Sequence, residues 1–253
     1  MRYTFGNTLT AAERLRRIAE FFNPLAANFI GDYVDPGSGS VLDLGCGPGY
    51  TTRMLADATK AAKVTGVDQS FFFIEQGRRN FPGIRFMEAD VTRMKNDLQY
   101  DVIYCRFLLS HLTNLKALIT SWIELLNPDG KLILDELEDV MTETGIFKQY
   151  LQISSSLVKS QGAELYVGRY LNAIVNNMKI LVNQTHIIPV NDWMAAGWFY
   201  GNTIGPWKEE PYILENVPRE HAERISRELL KIHNAQENIS TITWKMKRII
   251  ITN

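Results

Sequence analysis

Short apolar runs alternate with amphipathic segments through the first half of the chain. The apolar runs have the length and composition of buried strands, and most precede residues whose apolar positions follow a helical spacing. Strands are predicted at residues 41–44, 64–67, 84–87, 101–105 and 131–137. Helices are predicted at residues 50–60, 70–80 and 114–126. This alternation is typical of a parallel sheet covered by helices on both faces.

The second half of the chain follows a less regular pattern. Helices are predicted at residues 144–160, 164–178 and 220–233, and strands at residues 184–190 and 241–251. Between these elements, residues 191–216 combine tryptophan, phenylalanine and tyrosine with glycine and proline. We expect this aromatic stretch either to wall a pocket, because rings surround flat or cationic ligands, or to form ordinary core.

The N-terminal residues 8–30 are predicted to be helical, because Leu15, Ile18 and Phe22 recur at a helical spacing. Proline removes a backbone donor and clashes with the preceding turn, so Pro24 predicts a break into two helices.

The whole pattern predicts an α/β fold with a doubly wound, mostly parallel seven-stranded sheet, N-terminal helices and a helical, aromatic lid. We divide the chain into four parts on this basis. They are an N-terminal helical arm (1–35), a ligand-binding core (36–138), a lid with substrate-binding insertions and one core strand (139–235), and a final core strand (236–253).

A glycine-rich turn follows the first predicted strand. Gly45, Gly47 and Gly49 stand at alternate positions, and a helical pattern follows them. Strand, glycine loop and helix are the layout of a nucleotide-binding turn. The GxGxG spacing differs from the GxGxxG of pyrophosphate sites, and Asp43 before the loop favours a ligand with positive charge. The alternative is a glycine-rich turn that binds nothing.

Two further carboxylates end strands on the same predicted sheet edge. Asp68 follows the second strand, 19 residues after Gly49, where a carboxylate can accept hydrogen bonds from both ribose hydroxyls of a nucleoside. Asp90 follows the third strand, where it can accept from an adenine amino group, with Val91 beside the ring. The alternatives are a helix cap at Asp68 and a turn or cap at Asp90.

Composition and charge narrow the classes of function. The formal net charge of −1 gives no basic face for nucleic acid. The chain has no apolar run near the ~20 residues that span a bilayer and no signal peptide at its start, so we expect a cytoplasmic protein. We expect Cys46 and Cys105 to be free thiols in that compartment. Histidines and cysteines show no zinc-ligand spacing, so no metal is predicted.

Four segments of the chain resemble one known family. They are the glycine loop with Asp43, the run Tyr100-Asp101-Val102-Ile103-Tyr104-Cys105-Arg106-Phe107-Leu108-Leu109-Ser110-His111-Leu112, the run Leu126-Asn127-Pro128-Asp129-Gly130-Lys131-Leu132, and Tyr3-Thr4-Phe5-Gly6 followed by Glu13-Arg14-Leu15. Together they resemble the class I (Rossmann-like) S-adenosylmethionine-dependent methyltransferases that act on small molecules. Asp129 stands where that family usually has glycine. The resemblance covers residues 1 to about 138 and leaves the lid unmatched.

The resemblance implies methyl transfer from S-adenosylmethionine to an O, N or C nucleophile of a small-molecule acceptor, with S-adenosylhomocysteine as product. Arg106 is expected to pair with the methionine carboxylate or with an acidic substrate, or else to be a surface arginine. Arg14 is a second candidate for the methionine carboxylate. The predicted cofactor-binding residues are Tyr3, Arg14, Asp43, Gly45, Cys46, Gly47, Gly49, Asp68, Gln69, Asp90, Val91 and Arg106.

Two residues are predicted to contact the reacting groups. His111 follows the fourth strand, and its ordinary pKa near 6.5 suits a general base. Glu136 lies at the end of the fifth strand on the same edge, where we expect it to contact substrate. The alternatives are a packing or capping histidine and a solvated acidic rim.

Two other functions remain open on the sequence. A nicotinamide-dependent oxidoreductase shares the sheet and the strand-two acid, but the GxGxG spacing and Asp43 count against it. A non-catalytic or non-methylating family member would hold the cofactor without methyl transfer. The absence of an Asn-Pro-Pro-Tyr type motif argues against nucleic-acid bases as substrates. An arm and lid of this size can also support a homodimer.

Overall fold

A single mixed sheet organises the chain. The computed structural model describes residues 6, 8–94, 98–237 and 241–253. The strands are β1 (Ser40–Leu44), β2 (Lys63–Asp68), β3 (Arg85–Glu88), β4 (Tyr100–Arg106), β5 (Leu126–Met141), β6 (Ile180–Asn191) and β7 (Thr241–Thr252). They form a seven-stranded sheet in the order β3-β2-β1-β4-β5-β7-β6.

The register of the sheet brings the predicted site residues to one edge. Strands β1 to β5 are parallel, and Leu44 of β1 lies opposite both Val67 of β2 and Cys105 of β4. Strand β7 is antiparallel to β5 and to β6. The strand order reverses between β1 and β4, which is where open α/β sheets bind ligands. The predicted α/β fold class is confirmed.

Helices flank the sheet. They are α1 (Leu9–Tyr33), α2 (Tyr50–Thr59), α3 (Phe71–Asn80), α4 (Leu115–Ile123), α5 (Gly145–Ser160), α6 (Gly168–Ile174), α7 (Asp192–Ile204), α8 (Pro211–Asn216) and α9 (Arg219–Ala235). Short 3₁₀ turns occupy Val91–Arg93, Leu109–His111 and Pro206–Lys208. Every helix within the described ranges is too short or too polar to cross a bilayer.

Helix α1 runs through Pro24 as one helix, so the predicted break there is wrong. Thr8 caps its start, where the side-chain oxygen accepts a hydrogen bond from the Ala11 N–H at 3.3 Å. Ala26 and Ile30, which follow the proline, are buried in a cluster with sheet residues. Burial of this apolar face outweighs the local cost of the proline.

Strand β5 begins at Leu126 and therefore contains the residues predicted as a turn, 127–130. The register shifts between Tyr100 and Val102 of the neighbouring strand, which marks a bulge. Asp129 adopts a left-handed conformation with φ of +62°. A bulge bends a strand without ending its pairing, so the turn-forming residues occur inside the strand, where glycine would carry no penalty.

The aromatic stretch after β6 folds into helices. Trp198 and Phe199 of α7, and Trp207 after it, are buried in a cluster that also contains residues of α1, α5 and α9. This cluster forms the core of the lid, above the carboxyl edge of the sheet. The four-part division at residues 35, 138 and 235 stays a prediction, and β5 extends beyond the second boundary to Met141.

Candidate active site

The glycine loop needs its glycines for two different reasons. Gly45, Gly47 and Gly49 have φ of +69°, +52° and +89°, a region that favours glycine. A Cβ on Gly45 would lie 2.8 Å from Leu108, and one on Gly49 would lie 2.6 Å from Phe86. Around Gly47, the nearest side chain would be at 3.6 Å, an ordinary contact. Gly45 and Gly49 therefore allow close packing as well as the left-handed backbone, whereas Gly47 is required only for its left-handed backbone conformation.

Asp68 connects the end of β2 to this loop. Its Oδ2 accepts a hydrogen bond from the Gly47 N–H at 2.9 Å, and its Oδ1 accepts from the Ser70 N–H at 2.8 Å. Burial raises the pKa of Asp68, while these backbone donors oppose the shift. The cap of α3 is Ser70, whose Oγ accepts from Phe73 N–H, so the capping alternative for Asp68 is wrong. Gln69 is exposed beside it.

Asp43 is buried in β1 under the loop. Its Oδ2 accepts a hydrogen bond from the Thr52 hydroxyl at 2.7 Å. Burial raises the pKa of Asp43 to about 7, although the Thr52 bond and the Arg106 charge lower it. A cation placed above this group would favour its charged form. Cys46 in the loop is also buried, and both cysteines are free thiols as predicted.

Arg106 ends β4 and is buried, so the surface-arginine alternative is wrong. Its Nη2 donates to Asn23 Oδ1 at 2.6 Å and to Thr51 Oγ1 at 2.8 Å. Within the described residues its buried Nη1 has no hydrogen-bond partner. A buried guanidinium with a donor left over is a ready site for an anionic group.

Asp90 caps the short turn after β3. Its Oδ1 accepts from the Thr92 N–H at 2.9 Å and from the Thr92 hydroxyl at 2.7 Å. Those bonds lower the pKa of Asp90. The capping alternative is therefore confirmed, and Asp90 is exposed enough to meet a ligand as well. Val91 is buried next to it. The contacts of Asp90 and Val91 with adenine stay predictions. Tyr3, another residue predicted to bind the cofactor, lies outside the described residues.

A cavity of about 140 Å³ lies between the end of β4, α1, α5 and α7. Most of its lining is aromatic or aliphatic, and a few polar side chains converge on it. The aromatic residues are Phe22, Phe107, Tyr150, Trp198, Phe199 and Trp244. The aliphatic residues are Leu15, Ile18, Leu137, Val140, Leu151 and Leu165. The polar residues are Arg14, Ser110, His111, Ser154 and Asn202.

His111 lies on this cavity, in the turn after β4. Burial and the charge of Arg14 lower the pKa of His111 to about 4. The imidazole is therefore neutral at neutral pH, the state in which it can accept a proton. Its catalytic role stays a prediction.

Glu136 is not among the residues that line the cavity, although a contact with substrate was predicted. Its buried Oε1 accepts from the Leu108 N–H at 2.9 Å and the Leu109 N–H at 3.0 Å, and Cys105 Sγ lies 3.4 Å away. Burial raises the pKa of Glu136 to about 7. The carboxyl group holds a loop in which Phe107 has φ of +54° and lines the cavity.

Arg14 lines the cavity, although it was predicted beside the methionine carboxylate of the cofactor. A Cβ on Gly201 of α7 would lie 3.4 Å from Arg14 Cδ, so the arginine stem packs against that helix. Burial raises the pKa of Tyr150 and lowers that of His111; the positive charge of Arg14 opposes the first shift and adds to the second, so Arg14 lies close to both groups. The predicted cofactor contact of Arg14 stays a prediction.

Sequence reasoning missed the polar residues of α5 and α7. Asn202 Nδ2 donates to the Tyr150 hydroxyl, and Ser154 lies one helical turn beyond Tyr150. Tyr150 also stacks on Phe199, with ring centroids 4.2 Å apart. One feature of the sequence could have located two of them. Tyr150 and Ser154 are four residues apart, which puts two polar groups on the apolar face of a predicted helix.

Comparison with known proteins gives consistent matches. A family model described as a methyltransferase domain matches residues 41–130. Trans-aconitate 2-methyltransferase of Enterobacter sp. (strain 638) is 36% identical over 246 residues, 90% of this chain and 88% of that enzyme. The enzyme of the same name from Escherichia coli O157:H7 is 32% identical over 136 residues, 54% of this chain and 51% of that enzyme.

Solved structures of a cyclopropane synthase and of a methyltransferase share the fold. The cyclopropane synthase MmaA2 from Mycobacterium tuberculosis aligns with a TM-score of 0.57 and 14% identity, over 89% of this chain and 83% of that one. Phosphoethanolamine N-methyltransferase 2 from Haemonchus contortus, solved with S-adenosylhomocysteine, aligns with a TM-score of 0.55 and 14% identity. That alignment covers 90% of this chain and about half, 52%, of the other.

Proposed function

The chain belongs to the class I S-adenosylmethionine-dependent methyltransferases that act on small molecules, and we propose that its acceptor is a compact molecule with a mainly apolar body. The observation that supports this acceptor is the lining of the cavity beside the end of β4. Twelve of its lining residues are aromatic or aliphatic, and they surround a small volume. Burial of apolar surface is the main contribution such a pocket can make to binding.

The residues at the sheet edge fit the cofactor. Arg106 carries a buried donor, Nη1, that has no hydrogen-bond partner among the described residues. Asp43 and Asp68 are buried carboxylates, which gain from a ligand with positive charge and donor groups. These features match a ligand that combines a sulfonium and an ammonium with ribose hydroxyls and a carboxylate.

Each residue would hold a different part of the cofactor. Asp68 would accept from the ribose hydroxyls, and Arg106 would bind the methionine carboxylate. Asp43 would stabilise the positive charges from beneath the loop, and Asp90 with Val91 would face the adenine. The cofactor supplies a methyl group already activated on a sulfonium.

The protein's own contribution to the reaction is to position the acceptor beside the cofactor and to exclude water. Phe107 and His111 follow β4 and line the cavity, so the acceptor lies next to the cofactor-binding edge. Fixed alignment of reacting groups can supply roughly 7–11 kcal/mol of a barrier. For an acceptor whose nucleophile carries a proton, neutral His111 is placed to accept it.

Trans-aconitate is the second candidate acceptor. The identity with trans-aconitate 2-methyltransferase over most of both chains favours it. The cavity counts against it, because Arg14 is the one formally charged side chain among the described lining residues. Three carboxylates in such a pocket would leave charge buried without partners, which is costly.

The direct test is a methyl-transfer assay with radiolabelled S-adenosylmethionine. Trans-aconitate is compared with single-ring and medium-chain acceptors that bear a carboxyl, phenol or amine group. We expect turnover of at least one apolar acceptor to exceed that of trans-aconitate. Turnover of trans-aconitate alone would overturn the proposed acceptor class and leave the methyltransferase activity intact.

Three further expectations belong to this proposal. The enzyme works in the cytoplasm, on a free small molecule and without nucleic acid or membrane. Two copies can form a homodimer through the arm or the lid. Light scattering of the purified protein at several concentrations tests the dimer, and a mass of one chain throughout would contradict it.

A further inference from the structure

Three polar side chains meet on one side of the mainly apolar cavity. Tyr150 comes from α5, Asn202 from α7 and Arg14 from α1. Tyr150 and Asn202 are 3% and 4% exposed, so their polar groups are shielded from bulk water. Polar groups in such a place lower stability unless a partner satisfies them. A polar group on a ligand in this cavity could satisfy the hydrogen-bonding capacity that they leave unused.

The Tyr150–Asn202 pair has hydrogen-bonding capacity to spare. Asn202 donates to the tyrosine hydroxyl, which leaves the hydroxyl proton for another acceptor. The Asn202 Oδ1 is buried and has no hydrogen-bond partner among the described residues. If the amide is rotated by 180°, the tyrosine donates to Asn202 and the amide N–H groups are left over. In both orientations the pair keeps a donor for the cavity.

Arg14 adds a positive charge next to this donor. Its stem packs on Gly201, the residue before Asn202, and all three side chains line the same cavity. Its positive charge opposes the rise that burial causes in the pKa of Tyr150, so the guanidinium lies near the pair. No described lining residue is an aspartate or glutamate. A corner with one cation, neutral donors and no acid is complementary to one anionic oxygen group.

We infer that Arg14, Tyr150 and Asn202 form a subsite for a single carboxylate of the acceptor, whose apolar body fills the remaining cavity. This inference rests on the proposed function, because it assumes that the acceptor binds in this cavity. The volume suits a single ring, since an apolar cavity of about 150 Å³ holds benzene. The enzyme would then select monocarboxylates and reject acids with several charges.

Calorimetric titration of the protein saturated with S-adenosylhomocysteine tests the subsite without turnover. The probes are benzoate and benzamide, which have the same ring and differ in charge. We expect benzoate to bind about tenfold more tightly than benzamide, because charged hydrogen bonds exceed neutral ones by a kcal/mol or more.

Substitutions test which residues cause the preference for benzoate over benzamide. Arg14→Gln should weaken benzoate about tenfold and Tyr150→Phe about fivefold, with little change for benzamide. The matched controls are Arg16→Gln and Tyr170→Phe, at solvent-exposed positions outside the cavity, and both should bind benzoate like the parent protein.

Three results would overturn the inference, and they are distinguishable. Equal affinity for both probes, with no effect of Arg14→Gln, removes the carboxylate subsite and leaves the apolar cavity as acceptor site. Loss of S-adenosylhomocysteine affinity in Arg14→Gln, with benzoate affinity unchanged, assigns Arg14 to the cofactor. Binding of neither probe to the parent protein contradicts the proposed acceptor site itself.

Discussion

At the scale of single residues, Asp68 connects the glycine loop with the proposed cofactor site. It positions the glycine loop through the Gly47 N–H, and we propose that it also binds the ribose. Asp68→Ala should weaken S-adenosylhomocysteine binding by about 1–3 kcal/mol, because a buried ligand loses charged hydrogen bonds. Calorimetry measures the change. Asp57→Ala, at an exposed position on α2, is the control, and unchanged affinity in Asp68→Ala would remove Asp68 from the site.

His111 is expected to act on the acceptor. His111→Ala should lower turnover and leave cofactor affinity nearly intact. Because its pKa lies at about 4, the neutral form predominates at higher pH, so turnover that depends on it should fall only as pH approaches that value. Steady-state rates and calorimetry together test this. Lower cofactor affinity with unchanged turnover would instead make His111 a binding residue.

At the scale of elements, the loop after β4 depends on Glu136 in β5. Its folded-state pKa of about 7 exceeds the ordinary 4.5, so the folded protein holds a proton that the unfolded chain releases. The bound proton on Glu136 therefore stabilises the folded protein. This stabilisation is fully present below the pKa that Glu136 has in the unfolded chain, and it is lost as pH rises towards 7.

Glu136→Gln cannot titrate and tests this effect. The stability of the parent protein relative to the variant should fall by about 3 kcal/mol between pH 4.5 and 7. Urea unfolding at a series of pH values measures the difference. Asp43 titrates in both proteins, so its contribution to the pH dependence cancels in the difference between them. A constant difference across this range would show that folding does not raise the pKa of Glu136.

A buried ion pair joins two strands of the sheet, and its arginine also contacts α1. Arg248 of β7 donates to Asp135 of β5 at 2.9 Å, and the Tyr104 hydroxyl donates to the same carboxylate at 2.8 Å. Arg248 Nη1 also donates to the Leu25 carbonyl of α1 at 3.3 Å. Removal of one member of a buried pair leaves the other charge without compensation.

Asp135→Ala should therefore lower the free energy of unfolding by about 3–5 kcal/mol. The matched control is Asp139→Ala, which breaks the more exposed pair with Arg169 at 2.6 Å and should cost no more than about 1 kcal/mol. Urea unfolding measures both. Equal effects of the two substitutions would contradict a special role for the buried pair.

Local patterns predicted most elements, and two exceptions show where they fail. The apolar spacing located the strands, and the strand ends located Asp43, Asp68 and Arg106 because parallel strands share a carboxyl edge. Pro24 and Asp129 carry strong local signals for breaks, but both occur inside elements that pairing or burial maintains. A local sequence pattern carries no information about strand pairing or burial against distant parts of the chain.

At the scale of the whole molecule, the acceptor cavity is a product of topology. Arg14, His111, Tyr150 and Asn202 are far apart in sequence and converge because α1, α5 and α7 pack above the carboxyl edge. The glycine loop lies in one short stretch and could be predicted. The cavity could not, because no residue pattern gives the packing of three distant helices. The same packing turned Glu136 towards the loop backbone, which sequence position alone could not indicate.

Calorimetric titration of the purified protein with S-adenosylmethionine, S-adenosylhomocysteine and reduced nicotinamide dinucleotide tests the identity of the cofactor. We predict that the first two bind and the third does not, because Asp43 and the GxGxG loop favour a cationic ligand over a pyrophosphate. Binding of the nicotinamide dinucleotide alone would contradict the assignment of the glycine loop and the cavity beside it.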